Sequence, residues 1–185
     1  MPKIKLHDKT FKPKISAAEI SAAVSDVAAQ INKELKGKKP MFLAVLNGSF
    51  MFASDLMKKI TIDCEISFVK VTSYEGTAST GNVKQLIGIS EDLKDRTVVI
   101  VEDIVDTGHT IENIWEQLHQ LGVADVKVAT LLFKPEAYTK TVPLAYVAIV
   151  ASNDFIVGYG LDYNGLGRNL DSIYVLDYDA PENKI

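Results

Sequence analysis

The sequence predicts an α/β protein built on a mainly parallel sheet with helices on both faces. Three observations predict it. Short apolar runs rich in β-branched residues recur at 41–46, 66–72, 98–102, 126–133 and 145–150, each of strand length. Stretches with apolar residues at helical spacing lie between several of them, and that alternation favours parallel strands joined by covering helices. The residues able to do chemistry fall just after these runs, where open α/β sheets bind ligands.

The elements follow in order. Residues 1–14 carry lysines and prolines and are expected to be extended. Ser16 and Glu19 have the spacing of a capping box, in which the two side chains satisfy the first free N–H groups of a helix. Ile20, Val24, Val27, Ile31 and Leu35 continue that helix, and Gly37 is placed to end it. Residues 41–46 read as a buried strand, 48–60 as a helix and 66–72 as a second strand. Residues 74–81 are rich in glycine, serine and threonine and have almost nothing to bury, so a mobile loop is expected. A short strand at 86–90 would return from it.

Residues 98–102 form the third core strand. Ile111, Ile114, Trp115, Leu118 and Leu121 make a helical stripe that ends at Gly122, with Trp115 as a core anchor. Two more strands cover 126–133 and 145–150. The tail, residues 180–185, is expected to be disordered.

Composition narrows the function. A chain of 185 residues suits one domain with a single well-buried core. The net charge is −4, and the only basic run, Lys36, Lys38 and Lys39, sits at a helix end, so nucleic acid is not an expected partner. No apolar stretch is long enough to span a bilayer, so no membrane role is expected. Cys64 is the only cysteine, which excludes an intrachain disulfide and suits a reducing, cytoplasmic location. The first eight residues lack the apolar core of a secretory signal.

The most informative segment is Thr97-Val-Val-Ile-Val-Glu-Asp-Ile-Val-Asp-Thr-Gly-His-Thr110. An apolar strand ends in Glu102 and Asp103, a third acid follows at Asp106, and Thr107-Gly108-His109-Thr110 opens a helix. Small-residue loops at helix N-termini offer free N–H groups and hydroxyls to a phosphate. A row of acids beside a phosphate is tolerable only if a cation or neutral hydroxyls intervene. A phosphorylated sugar bound with magnesium fits both halves. Neighbouring side chains of a strict strand face opposite ways, so at least one of Glu102 and Asp103 is expected past the strand end.

This segment resembles the signature of the type I phosphoribosyltransferases, a hydrophobic run followed by Glu-Asp, two apolar residues and Asp-Thr-Gly-x-Thr. Within that superfamily the chain resembles the hypoxanthine-guanine phosphoribosyltransferases. Val45-Leu-Asn-Gly-Ser-Phe50, Ser73-Tyr74 with Ser79-Thr-Gly81, Leu131-Leu-Phe-Lys134 and Asp154-Phe-Ile-Val-Gly-Tyr-Gly-Leu-Asp162 match in order and spacing. The resemblance implies a Rossmann-like core at about 38–152 and a small hood from about 1–15 and 153–180. It also implies a homo-oligomer, dimer or tetramer.

The same resemblance implies the reaction, transfer of a phosphoribosyl group from phosphoribosyl pyrophosphate to a 6-oxopurine, and a role for each residue. Thr107, Gly108, His109 and Thr110 would bind the sugar's 5'-phosphate, His109 through its backbone. Glu102 and Asp103 would hold the ribose hydroxyls directly or through Mg2+. Asp106 would be the general base. Leu46, Asn47 and Gly48 would contact pyrophosphate, across a peptide bond before Asn47 that is often cis in the family. Arg168 and Lys70 are candidate cations for that pyrophosphate. Ser73 and Tyr74 open a lid that would exclude water. Lys134 would donate to the 6-oxo group, Phe155 would stack on the purine, and Ile156 and Asp162 would lie near its 2-position. Asp162 is also a candidate metal ligand. Asn47 and Asp154 depart from the residues most usual in the family.

Overall fold

In the computed structural model, residues 1–72, 84–87 and 91–183 are described, with side chains described outside 71–90. The chain forms β1 (Ile4–Leu6), β2 (Lys9–Ile15), α1 (Ala17–Glu34), β3 (Met41–Leu46), α2 (Phe50–Met57), β4 (Glu65–Thr72) and β5 (Lys84–Ile87). It continues through β6 (Thr97–Val105), α3 (His109–Gln120), β7 (Asp125–Phe133), β8 (Tyr146–Val150), β9 (Ile156–Val157) and β10 (Ile173–Leu176) to a single 3-10 turn, Pro181–Asn183.

The larger sheet has the order β5-β4-β3-β6-β7-β8. Its five strands from β4 to β8 are parallel, and β5 lies antiparallel to β4 at one edge. From β3 the chain moves outward to β4, and then returns to place β6 on the other side of β3. The order therefore reverses between β3 and β6, which is where an open α/β sheet leaves a crevice at its carboxyl end.

Alternation along the strands fills both faces. Phe42, Ala44, Val99 and Val101 pack with α1 and α2 through Ile20, Val24, Ile31, Phe52 and Leu56. Leu43, Val45, Val98 and Ile100 pack with α3 through Ile111, Ile114 and Leu118. Both reciprocal bonds of the expected capping box are present at Ser16 and Glu19. Trp115 is half-buried against the α3 side of the core. Leu121, assigned to the same stripe, is exposed because α3 has already ended at Gln120.

A second, antiparallel sheet, ordered β1-β2-β10-β9, joins the two ends of the chain. Phe11, Val157 and Tyr174 form its small core. Tyr159 and Ile173 belong to the main core instead, so the two sheets share buried side chains.

Three expectations need correction. α2 is shorter than 48–60, because residues 47–49 form a turn that the site uses. The strand at 86–90 is instead Lys84–Ile87. The tail is ordered through Asn183, for a definite reason. The buried Asn183 amide donates to the carbonyls of Thr10 and Asp177 at 2.7 Å each, and its oxygen accepts from the Thr10 N–H at 3.2 Å. The loop at 74–81 lies outside the described residues.

Asn183→Ala should leave the Thr10 N–H without its partner and take one of two donors from each of the Thr10 and Asp177 carbonyls, at a cost of about 1–3 kcal/mol. A melting point lower by roughly 2–10 °C is expected for a chain of this size. Calorimetry on the variant would check it, and an unchanged midpoint would make the tail a passenger.

Candidate active site

The crevice is built from two loops at the carboxyl ends of β3 and β6. After β3 the Leu46–Asn47 peptide is cis, and the chain turns through Asn47 and Gly48 into α2. Ser49 is fully buried and its hydroxyl donates to the Val45 carbonyl at 2.6 Å, which ties this turn to its own strand. After β6, Asp106 and Thr107 lead to Gly108, the α3 N-cap residue, at φ +89. Residues 102–111 line a cavity of about 300 Å³.

The phosphate-type loop is open for a ligand. The N–H groups of Gly108, His109 and Thr110 have no hydrogen-bond partner among the described residues, and the first intrahelical bond runs from the Glu112 N–H to the Gly108 carbonyl at 3.0 Å. These are the orphan donors of a helix start, where anions are favoured. Gly108 is required twice, by its positive φ and because an added Cβ would collide with the Tyr138 ring. Thr139 accounts for part of the loop's orientation, since its N–H and hydroxyl both donate to the Thr107 carbonyl, at 3.3 and 3.2 Å. No local sequence signal could have linked 138–140 to this loop. His109 and Thr110 are exposed.

The acids differ from expectation in one respect. Pairing of β6 with β7 continues through Val105, so neither Glu102 nor Asp103 lies past the strand end. The alternation slips instead. Val99 and Val101 pack on one face with Ile104, whereas Val98 and Ile100 share the other with Val105. One residue of phase is lost across the acid pair, and the two carboxyl groups come to interact with each other. Both are buried, at 7% and 8% exposure.

Burial drives the Glu102 carboxyl well above its ordinary range, and the neighbouring Asp103 adds to the shift. Burial also raises Asp103, against hydrogen bonds from Glu102 and the Ile104 N–H and the attraction of Arg168. Glu102 Oε2 is buried with no hydrogen-bond partner among the described residues.

Asp103 also touches the other loop. A Cβ on Gly48 would overlap its carboxylate, so only glycine lets the β3 turn approach the acids. Lys70 stands beside Leu46 in register on β4. Asn47 is exposed.

Asp106 faces Lys134, which follows β7. The ammonium lies 3.4 Å from the Asp106 carboxylate, with Lys134 only 7% exposed. The remaining groups expected at the site lie on the second sheet or in the segments beside it. Phe155 is 44% exposed beside Phe11 and Tyr163, and Ile156 follows it on β9. Asp162 is engaged by Arg168 at 2.5 Å and accepts from the Gly165 N–H at 2.7 Å. That pairing occupies the carboxylate assigned as a metal ligand. Arg168 in turn donates to the Gly160 carbonyl at 2.7 Å. Ser73 and Tyr74 lie outside the described residues. Gly160 and Tyr159, which press the second sheet onto the β3 turn, were not foreseen. The only cue was a Gly-Tyr-Gly triplet, which names no partner.

Comparison with known proteins identifies one family over most of the chain. The model of the phosphoribosyl transferase domain matches residues 16–164. A hypoxanthine-guanine phosphoribosyltransferase of Streptococcus pneumoniae is 41% identical over 181 residues, 96% of this chain and 99% of that protein. The crystal structure of a hypoxanthine phosphoribosyltransferase from Staphylococcus aureus superposes with a TM-score of 0.85 at 36% identity, covering 91% of this chain and 92% of that one. A hypoxanthine-guanine phosphoribosyltransferase structure from Bacillus anthracis, with HEPES in the active site, gives 0.84 at 35%, covering 90% and 98%.

The raised Glu102 carboxyl has a consequence for stability. Its folded pKa lies above the unfolded value of 4.5, so its contribution is complete below pH 4.5 and is lost as pH rises through the folded pKa. Glu102→Gln removes that loss. The variant should melt above the wild type at pH 8, by roughly 2–4 °C per kcal/mol regained, and the gap should close toward pH 4.5. Melting curves across that range check it; a gap independent of pH would remove Glu102 as the cause.

Proposed function

The chain belongs to the phosphoribosyltransferase family, and we propose that it is a purine salvage enzyme, transferring the 5-phosphoribosyl group from phosphoribosyl pyrophosphate to hypoxanthine, and also to guanine. The products are IMP or GMP and pyrophosphate. The observation that carries this reading is the pairing of Asp106 with Lys134 beside the open N–H groups of residues 108–110. An acid and a lysine then flank the place where a base would meet a phosphorylated sugar.

The chemistry follows from the positions. The 5'-phosphate sits on the Thr107–Thr110 loop at the positive end of α3. The bond from the anomeric carbon to pyrophosphate breaks as a bond to an imidazole-side nitrogen of the purine forms, and that nitrogen's proton passes to Asp106. Lys134 donates to the 6-oxo group. Adenine presents an amino donor there and is rejected, because that group and the Lys134 ammonium are both donors. Phe155 offers its exposed ring to the purine face, with Ile156 and Asp162 toward the 2-position. Leu46, Asn47, Gly48 and Arg168 hold pyrophosphate, and Ser73 and Tyr74 open the closing lid.

Glu102 and Asp103 fit the ribose hydroxyls and Mg2+. Two adjacent buried carboxyl groups, one with an oxygen unpartnered among the described residues, are met by little beyond the Ile104 N–H and the attraction of Arg168. Mg2+ would supply charge neutralisation between these acids and the pyrophosphate. Asp162 fits a metal less well while Arg168 holds it.

The second sheet is assigned as a hood over the crevice. A homo-oligomer closing through the exposed Phe50, Ile66 and Phe68 is part of the same reading. So is a cytoplasmic location, in keeping with a single cysteine; no helix among the described residues is long and apolar enough to cross a membrane.

The test is nucleotide formation from phosphoribosyl pyrophosphate and Mg2+ with hypoxanthine, guanine, xanthine, adenine or orotate. Product with hypoxanthine and guanine, abolished by chelation, is expected. Asp106→Asn should lower turnover by about 10²–10⁴ while donor binding persists. Turnover on adenine, or an Asp106→Asn variant near wild-type rate, would overturn the assignment.

A further inference from the structure

The turn 158–160 has no chemistry of its own, yet three parts of the crevice meet on it. All three residues have positive φ: Gly158 and Gly160 at +100 and Tyr159 at +48. An added Cβ on Gly158 would overlap the Ser172 carbonyl, and one on Gly160 would overlap the Gly48 carbonyl. The turn is thus pressed between β10 on one side and the Asn47–Gly48 turn on the other. The Gly160 carbonyl accepts from Arg168 at 2.7 Å, and the Gly160 N–H donates to the Arg168 carbonyl at 2.9 Å.

Between the two glycines stands a tyrosine in a backbone region that glycine prefers. Its side chain explains its presence. Tyr159 is 4% exposed, packs in the main core, and donates its phenol proton to Asp55 of α2 at 2.7 Å. Lys58 holds the same carboxylate at 3.0 Å. Asp55 sits one and a half turns into the helix that the Asn47–Gly48 turn begins. The bond therefore joins the second half of α2 to the turn that touches Gly48, so that turn is held against both ends of the same short element.

We propose that the Tyr159–Asp55 hydrogen bond is a latch that positions the pyrophosphate half of the crevice, by holding Gly160 against Gly48 and Arg168 beside them. Tyr159 is a positioning residue in this scheme and touches no substrate. The proposal rests on the functional reading given above, and assigns one half of that site a support that the 5'-phosphate half does not share. The phosphate loop at 107–110 is held separately, by β6, Tyr138 and Thr139.

The asymmetry gives the test. Tyr159→Phe, Asp55→Ala and the double variant would be made in the full chain. Pyrophosphate and IMP affinities would be measured by calorimetry, with the KM for phosphoribosyl pyrophosphate alongside. Loss of one buried hydrogen bond predicts pyrophosphate binding weakened roughly three- to tenfold in each single variant. The double variant should be no worse than Asp55→Ala, because that single variant already removes the Tyr159 bond together with the exposed Lys58 pair. IMP, which lacks pyrophosphate, should bind within about twofold of wild type, where a merely structural defect would weaken both ligands alike. Asp55 is partly exposed, so Asp55→Ala keeps the test available if the core variant folds poorly. Unchanged pyrophosphate affinity, or equal loss for both ligands, would overturn the latch. If wild-type protein bound neither ligand, the functional reading would fall and the latch with it.

Discussion

The parallel pairing of β3 with β6 is the constraint from which the crevice follows. Because the chain leaves β3 in one direction and β6 in the other, no covering connection fills the space between their carboxyl ends. Two loops of opposite character face each other there. The β3 turn contributes backbone and a glycine, and the β6 loop contributes acids and the open start of α3. They meet where Gly48 makes room for Asp103. A longer side chain at 48 would separate the loops, and the acids would then face solvent instead of a ligand.

Placing two acids inside a sheet opposes folding, and the structure shows how the surroundings limit the cost. Val98–Val101 is buried on both faces, and β7 continues to pair with β6 beyond the acids. That apolar frame holds the carboxyl groups in place, and the slip in alternation lets them interact instead of each entering a different hydrophobic layer. Their charge is little compensated within the protein, and under the proposed reading the compensating groups belong to the ligand. Arg168 alone approaches from the second sheet, and it is shared with Asp162. Stability given up at a site in this way is the expected pattern where binding restores it.

Much of the core was legible in the sequence, because each element carried a local signal. The Ser16 capping box, the stripe ending at Leu118 and the apolar runs of β3, β6 and β7 each state their structure within a dozen residues. The co-location of Asp106, Gly108 and Lys134 was legible for a different reason, since strand ends in a parallel sheet gather at one edge. What was not legible depends on long-range geometry. The Asn183 amide orders a tail by reaching residues 173 positions away. The phase slip at 102–103 falls within a strand whose pairing with β7 keeps one register throughout, and Asp55 and Tyr159, 104 positions apart, share no motif. Periodicity reports which face a residue takes, but not which distant backbone it will meet.

The second sheet leaves Phe155 partly exposed for a reason that lies in its small interior. Its interior is small, and Phe11, Val157 and Tyr174 already fill it. Val157 pairs with Tyr174, so strand alternation on β9 sends Phe155 to the same side as Val157 yet beyond the filled core, at the margin of Phe11 and Tyr163. The ring packs against Phe11 and Tyr163 and remains 44% exposed. Tyr159 and Ile173 tie the sheet into the main core, so its position is fixed by contacts that do not involve Phe155. Under the proposed reading, an exposed aromatic ring carried on such a sheet is the kind of surface that a planar ligand satisfies.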